Sequence, residues 1–343
     1  MNGRVATTRL DAGRLAGWLS ENGIALDGVP RLVLIAGGRS NLTYRIEDDR
    51  GVQAVLRRPP TGRVLQSAHD VAREYRIITS LAPTDVPVPA AYALCTDERV
   101  LGAPFYVMGF VPGTVVAGDA DGGRYPLAAR GPASRSLVDV LTAIHRVDVD
   151  AIGLGTLGRK ENYCLRQLRR WRQQFHATTS RELPIIDELH DRLARAVPPQ
   201  RFTGLVHGDY RPGNVLLDSA GRVNAVLDWE LATLGDTLAD LGWLLATWRQ
   251  PGEPEMLESP TARDGFWSRA ELIERYQLVT GHPVADVHWY QAFALWRLAC
   301  ISEGILARYR AGVMGDDGFD SESEGRHVLE LAEASWRVLN ETA

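Results

Sequence analysis

The run His207-Gly208-Asp209-Tyr210-Arg211-Pro212-Gly213-Asn214, with Asp228-Trp229-Glu230 beginning fourteen residues after Asn214, gathers side chains that phosphoryl transfer requires. Moving a phosphoryl group to a hydroxyl needs a carboxylate that orients the hydroxyl and accepts its proton. It also needs oxygen donors for the magnesium that neutralises the nucleotide phosphates. Asp209 suits the first task, and Asn214 and Asp228 suit the second as metal ligands. Taken singly, an aspartate after glycine is a common turn former and a histidine beside a strand is a hydrogen-bonded structural group. Order and spacing therefore carry the reading. His207 is expected to brace the loop and not to touch substrate.

These groups need a scaffold. Gly204-Leu205-Val206, Val215-Leu216-Leu217 and Val223-Asn224-Ala225-Val226-Leu227 read as short strands, with a Ser219-Ala220-Gly221 turn between the last two. Such a hairpin is expected to bring Asn214 and Asp228 to one end of two paired strands, within reach of one metal. Upstream, Asp11 is expected to cap a helix in which Leu15, Trp18 and Leu19 recur at helical spacing, with Asn22-Gly23 as its stop. Residues 31–35 and 42–46 read as strands flanking a tight turn, Gly37-Gly38-Arg39-Ser40-Asn41. Its glycines would let the backbone approach a phosphate, and its amides and hydroxyl could donate to phosphate oxygens. An ordinary hairpin has the same pattern. Residues 53–57 read as a third strand, with Arg58 on the opposite face and solvated. Residues 67–82 read as a helix carrying Glu74, residues 84–89 as a proline-rich extended connector, and residues 105–111 as a strand closing at Pro112-Gly113.

Further on, helices are expected over residues 134–145, 164–177 and 185–197, with Pro198-Pro199 ending the last, and again around Tyr276 and over residues 289–301 and 328–339. Tyr163, Arg166, Arg169, Trp171 and Arg172 could face an acceptor or form a solvated amphipathic face. Gly235 to Leu241 enters an apolar helix, where Asp236 or Asp240 could brace the catalytic loop by accepting its backbone N–H bonds. The acidic run Asp316, Asp317, Asp320, Glu322 and Glu324 reads as a solvated loop.

The chain resembles the aminoglycoside phosphotransferase and choline kinase family, which shares the protein-kinase-like fold, over nearly its whole length. In particular it resembles the branch whose members accompany, or are fused to, acyl-CoA dehydrogenases. That likeness lies in Val55-Leu56-Arg57-Arg58-Pro59-Pro60, Ala103-Pro104-Phe105-Tyr106-Val107-Met108, Arg166-Gln167-Leu168-Arg169-Arg170-Trp171 and Gly235-Asp236-Thr237-Leu238-Ala239-Asp240-Leu241. The resemblance implies an α+β, bilobal fold. Residues 1–112 would form a nucleotide-binding lobe with an antiparallel sheet and helix, and residues 113–343 a mainly helical catalytic and substrate lobe. It implies ATP, with GTP as the other possible nucleotide, and Mg2+ as cofactors. Arg57 falls where protein kinases place their phosphate-binding lysine, and Glu74 would pair with it. Gly37, Gly38, Ser40 and Asn41 would cover the nucleotide, and Met108 and Phe110 would lie at the hinge that meets the adenine. The acceptor would be a hydroxyl of a small molecule: a hydroxyacyl-CoA by the branch, or an aminoglycoside, macrolide, choline or sugar by the wider family. A catalytically silent nucleotide-binding module is the non-enzymatic alternative, against which Asp209, Asn214 and Asp228 together argue. A protein kinase is disfavoured by Arg211, which stands where such enzymes carry a lysine.

With 343 residues, 45% of them hydrophobic, the chain can bury a substantial core. A net charge of −5 gives no global field drawing it to nucleic acid or an anionic membrane. Positive charge is almost all arginine, Lys160 being the only lysine. Three cysteines, Cys95, Cys164 and Cys300, are odd in number and lack metal-ligand spacing, which points to a reducing compartment. The N-terminal residues lack a signal-peptide core and no run approaches the ~20 apolar residues of a membrane span, so a soluble cytoplasmic protein is expected.

Overall fold

The structure, a computed structural model, describes residues 10–36, 41–60, 70–254, 258–313 and 318–341. These fall into two compact units. One comprises the described residues up to Thr114 together with Asn224–Leu231; the other comprises Val115–Val223 and the described residues from Ala232 onwards. The fold is α+β, one unit built on an antiparallel sheet and the other mainly helical. Among the described residues no helix is long and apolar enough to cross a membrane.

In the sheet unit, α1 (Ala12–Glu21) starts where Asp11 accepts the Arg14 N–H at 3.0 Å and buries Leu15 and Leu19 one turn apart. Next come β1 (Arg31–Ala36), β2 (Leu42–Asp48), β3 (Gly51–Arg58), α2 (Val71–Leu81), β4 (Ala91–Cys95), α3 (Glu98–Leu101) and β5 (Phe105–Gly109). The five strands pair antiparallel in the order β1-β2-β3-β5-β4. A cluster containing Leu15, Leu19, Ile46, Ala54, Leu56, Phe105 and Val107 forms the core on one side of the sheet. Each fully buried aliphatic or aromatic side chain there contributes about 1.5–3 kcal/mol. On α2, Val71, Ile77, Ile78 and Leu81 are buried, and the helix packs on β4 and β5.

Arg58 departs from expectation in this unit, and one strand had not been foreseen. Arg58 is not solvated: it is 1% exposed, because alternation along β3 puts it in the row of Ala54 and Leu56, which faces the core. Its Nε donates to the Pro59 carbonyl at 3.1 Å. The alanine-rich residues 91–95, unassigned from sequence, form the edge strand β4 through pairing with β5, a tertiary contact that outweighs weak intrinsic strand preference.

Residues 224–231 join this unit through several contacts. Asn224 Nδ2 donates to the Pro112 carbonyl at 2.9 Å, the Val226 N–H to the Pro87 carbonyl at 2.8 Å, and Arg73 Nη1 to the Glu230 carbonyl at 3.1 Å.

The helical unit contains α4 (Asp119–Arg124), α5 (Leu127–Arg146), α6 (Tyr163–Thr178), α7 (Pro184–Arg195), β6 (Thr203–Val206), β7 (Val215–Leu217), the first residue of β8 (Val223–Val226), β9 (Thr233–Asp236), α8 (Leu238–Thr247), α9 (Arg269–Thr280), α10 (Val287–Arg310) and α11 (Ser321–Asn340). β6 pairs antiparallel with β9, which sequence reading had merged into the approach to α8. α5 begins at Leu127, earlier than the expected 134, and runs through Pro132. Pro132 cannot donate to the Ala128 carbonyl, but Ala128 is exposed, where water can take that bond. α10 is buried on nearly every side and packs against α6, α7, α8 and α11, as a helix apolar all round must. Its indoles find partners: Trp289 Nε1 donates to the Leu193 carbonyl at 3.2 Å and Trp296 Nε1 to the Ile186 carbonyl at 3.0 Å.

Candidate active site

In the helical unit, β6 delivers the chain into His207-Gly208-Asp209. Gly208 has φ 86°, a left-handed conformation that glycine adopts without steric penalty. The turn is held from α8, where Asp240 Oδ2 accepts the His207 N–H at 2.6 Å and Asp240 Oδ1 accepts the Gly208 N–H at 2.8 Å. Burial pushes the Asp240 carboxyl up, but the His145 hydrogen bond and charge, the charge of His207 and the Gly208 N–H together hold it below its ordinary value. His145 lies with Nδ1 2.9 Å from the Tyr276 hydroxyl and Nε2 3.5 Å from Asp240. His207 is fully buried, and its Nδ1 accepts the Asp209 N–H at 3.2 Å, so it braces the loop.

The Asp209 carboxylate is held at both oxygens. Oδ2 accepts from Asn214 Nδ2 at 2.8 Å; Oδ1 accepts from Trp243 Nε1 at 2.8 Å, with Arg211 Nε 3.5 Å away. Asn214 Nδ2 also donates to the Asp209 carbonyl at 2.8 Å. Both amide hydrogens of Asn214 are thereby engaged, and its carbonyl oxygen is what it can offer a cation.

In the sheet unit, Arg57 bridges two carboxylates: Nε donates to Glu74 Oε2 at 2.8 Å and Nη2 to Asp228 Oδ1 at 2.6 Å. Burial pulls the guanidinium down, but Glu74 and Asp228 outweigh it and shift it up. Burial, aided by Asp228, also pushes Glu74 up against the pull of Arg57. An arginine stays protonated in a protein, so the charged arrangement governs the site. Asp228 has φ 64°, a left-handed conformation rare outside glycine. Its neighbour is fixed on both sides: the Trp229 N–H donates to Glu74 Oε1 at 3.3 Å and Trp229 Nε1 to the Val226 carbonyl at 3.2 Å.

Of the other expected site residues, Gly37, Gly38 and Ser40 lie outside the described residues, as do Asp316 and Asp317. Asn41 is buried, and neither amide atom has a hydrogen-bond partner among the described residues. Met108 is buried opposite Val55 near the end of β5, and Phe110, just past the strand, is 43% exposed. Asn214 belongs to the helical unit and Asp228 to the sheet unit. Among the described residues no three His, Cys, Asp or Glu side chains form a metal cluster. An amide oxygen and a carboxylate are each hard donors of the kind magnesium takes, usually one or two from protein and the rest from phosphate and water, so the chemistry of each residue by itself fits that ion.

Sequence reasoning missed Trp243. Its signal was available: it lies three residues after Asp240, on the same face of a helix already expected to support the loop.

A model described as the phosphotransferase enzyme family matches residues 31–302. Mouse acyl-CoA dehydrogenase family member 10 is 34% identical over 317 residues, covering 90% of this chain and 29% of its own length. The chain thus spans about a third of that relative. A provisionally named aminoglycoside phosphotransferase from Ralstonia eutropha matches in structure with TM-score 0.83 and 32% identity, over 97% of this chain and 99% of that one. The GDP complex of aminoglycoside 2'-phosphotransferase-IIIa matches with TM-score 0.64 and 14% identity, over 96% and 99%, a likeness of fold.

Proposed function

The chain belongs to the phosphotransferase enzyme family, and on that premise we propose that it is a small-molecule kinase moving the γ-phosphoryl group of ATP to a hydroxyl. The setting of Asp209 carries this reading. A carboxylate with one oxygen on an indole N–H and the other on an amide is fixed in direction, yet it keeps lone pairs for an incoming hydroxyl. The acceptor oxygen bonds to the γ-phosphorus as the bond to the β–γ bridging oxygen breaks; ADP leaves, and the hydroxyl proton passes to Asp209. Asn214 and Asp228 are the oxygen donors we assign to magnesium, which, when bound, neutralises phosphate charge. Arg57 is the cation assigned to the nucleotide phosphates, with Glu74 holding its guanidinium. Met108 and Phe110 are assigned to the base, and residues 37–41 to covering the phosphates. The GDP-bound neighbour keeps GTP as a second nucleotide to test.

For the acceptor we favour a hydroxyacyl-CoA. The relative named as an acyl-CoA dehydrogenase extends well beyond the matched region, and a kinase acting on acyl-CoA molecules would suit such company. Three free, buried cysteines suit a reducing compartment, and we propose the cytoplasm. The test is incubation with Mg-ATP or Mg-GTP and a pooled panel of hydroxyacyl-CoAs, aminoglycosides, macrolides and amino alcohols, read by mass spectrometry. A phosphorylated acyl-CoA that is absent with Asp209→Asn is expected. Product on an antibiotic instead reassigns the acceptor, tight nucleotide binding without product favours a silent module, and no nucleotide binding refutes the kinase.

A further inference from the structure

We propose that Trp243, pinned by Arg297, aims the Asp209 carboxylate. This is a positioning role in the transfer reaction, and it rests on the kinase reading above. Arg297 comes from α10 and is 7% exposed. Its guanidinium carbon sits 4.3 Å from the centroid of the Trp243 ring and 5.4 Å from that of Trp171, and Nη2 donates to the Gly208 carbonyl at 2.9 Å. Among the described residues no carboxylate forms an ion pair with it, and its Nε has no hydrogen-bond partner.

A permanently charged group buried without a counter-ion is a poor way to fill space. Apolar side chains would pack the same volume without desolvating a charge. What the cation does here is specific: besides the Trp171 ring, the two groups it touches lead to the same residue. The carbonyl it holds belongs to the residue before Asp209, and the ring it covers donates its N–H to Asp209 Oδ1. Cation–π attraction is strongest when desolvated, as at this depth, and it fixes the plane of the indole. The indole plane sets where Nε1 points, and Nε1 together with Asn214 sets the rotation of the carboxylate. Asp240 fixes the backbone of the turn; the Arg297–Trp243 stack fixes the side chain that follows it.

Trp243→Phe keeps a ring beneath Arg297 and removes only the donor. It is expected to lower kcat by about ten- to a hundredfold, the worth of one hydrogen bond to a charged acceptor. The nucleotide KM should stay within about twofold, because ground-state binding is untouched. Arg297→Lys keeps the charge but loses the planar face, and should lower kcat roughly two- to tenfold in the same sense. The second measurement needs no turnover. Among the nine indole N–H signals of the nitrogen-15-labelled chain, the one missing in Trp243→Phe should move most when Asp209→Asn is introduced into wild type. Should Trp243→Phe not fold, the Arg297→Lys kinetics and an indole signal displaced by Asp209→Asn carry the test.

An unchanged kcat in these variants, a raised nucleotide KM with kcat preserved, or indole signals indifferent to Asp209→Asn overturns the positioning role and leaves the kinase reading standing. A wild-type chain that phosphorylates nothing refutes the kinase reading and takes the positioning role with it.

Discussion

In the helical unit, Asp209 is gripped mainly by neutral donors, the Trp243 indole and the Asn214 amide, on a loop whose backbone is tied to Asp240. In the sheet unit, Asp228 sits on left-handed backbone and faces a guanidinium that it shares with Glu74. Neutral donors orient a carboxylate without cancelling its charge, which suits the proton-accepting role proposed for Asp209. A shared cation occupies the carboxylate, so the magnesium proposed for Asp228 would have to compete with Arg57. On the proposed reading the first arrangement is used as it stands and the second is rearranged.

The most severe way to break the contrast is to neutralise Asp209. Asp209→Asn should lower kcat by roughly 10²–10⁴-fold while Mg-nucleotide affinity, read by calorimetry, stays close to wild type. Removing the shared cation should instead act on folding. Arg57→Met leaves Glu74 buried without its counter-ion, and should destabilise by about 3–5 kcal/mol in urea unfolding. A smaller loss, about 1–3 kcal/mol, is expected from Asp209→Asn: no buried charge is left unpaired, but the new NH2 must face either the Trp243 indole N–H or the Asn214 amide, both donors.

Asp240 sharpens the picture through pH. Its folded value is depressed, so its contribution is complete above the unfolded value of about 3.9 and drains away as pH falls through the lower folded value. Asp240→Asn should unfold about 1–3 kcal/mol more easily at neutral pH, with the gap to wild type closing in acid. A gap that holds constant down to pH 2 would mean that the carboxylate is not what supports the loop. An effect of similar size is expected from Gly242→Ala. A Cβ there would lie 2.5 Å from the Tyr290 carbonyl carbon, forcing α8 off α10, at about 1–3 kcal/mol in the same assay and with some loss of kcat through Trp243.

What the sequence made legible was local. Asp209, Asn214 and Asp228 were proposed as site residues from order and spacing, and Asp240 as a support of the loop from its place at the head of an apolar helix; the structure puts Asp240 on two loop amides. The pairing of Arg57 with Glu74 was legible by resemblance alone, since seventeen residues separate them. Contacts that depend on distant chain were hidden. Arg297 lies 89 residues from Gly208, and nothing in a helix of mixed aromatic and aliphatic residues marks one arginine as pointing inward. Arg58 was misread because its charge outweighed its parity with Leu56. β4 was missed because alanine carries little strand preference, and only the neighbouring strand makes it one.

The burial of α10 bears on how the chain is made. Synthesis runs from the N-terminus, so α6, α7 and α8 emerge while the helix they pack against, residues 287–310, is still untranslated. Until then the faces of those three helices that pack on α10 stay uncovered, and Arg297 has not reached Gly208. The sheet unit needs only residues up to 231 and can close earlier. A stalled nascent chain ending near residue 280 should therefore protect the sheet unit from protease while the helical unit remains digestible.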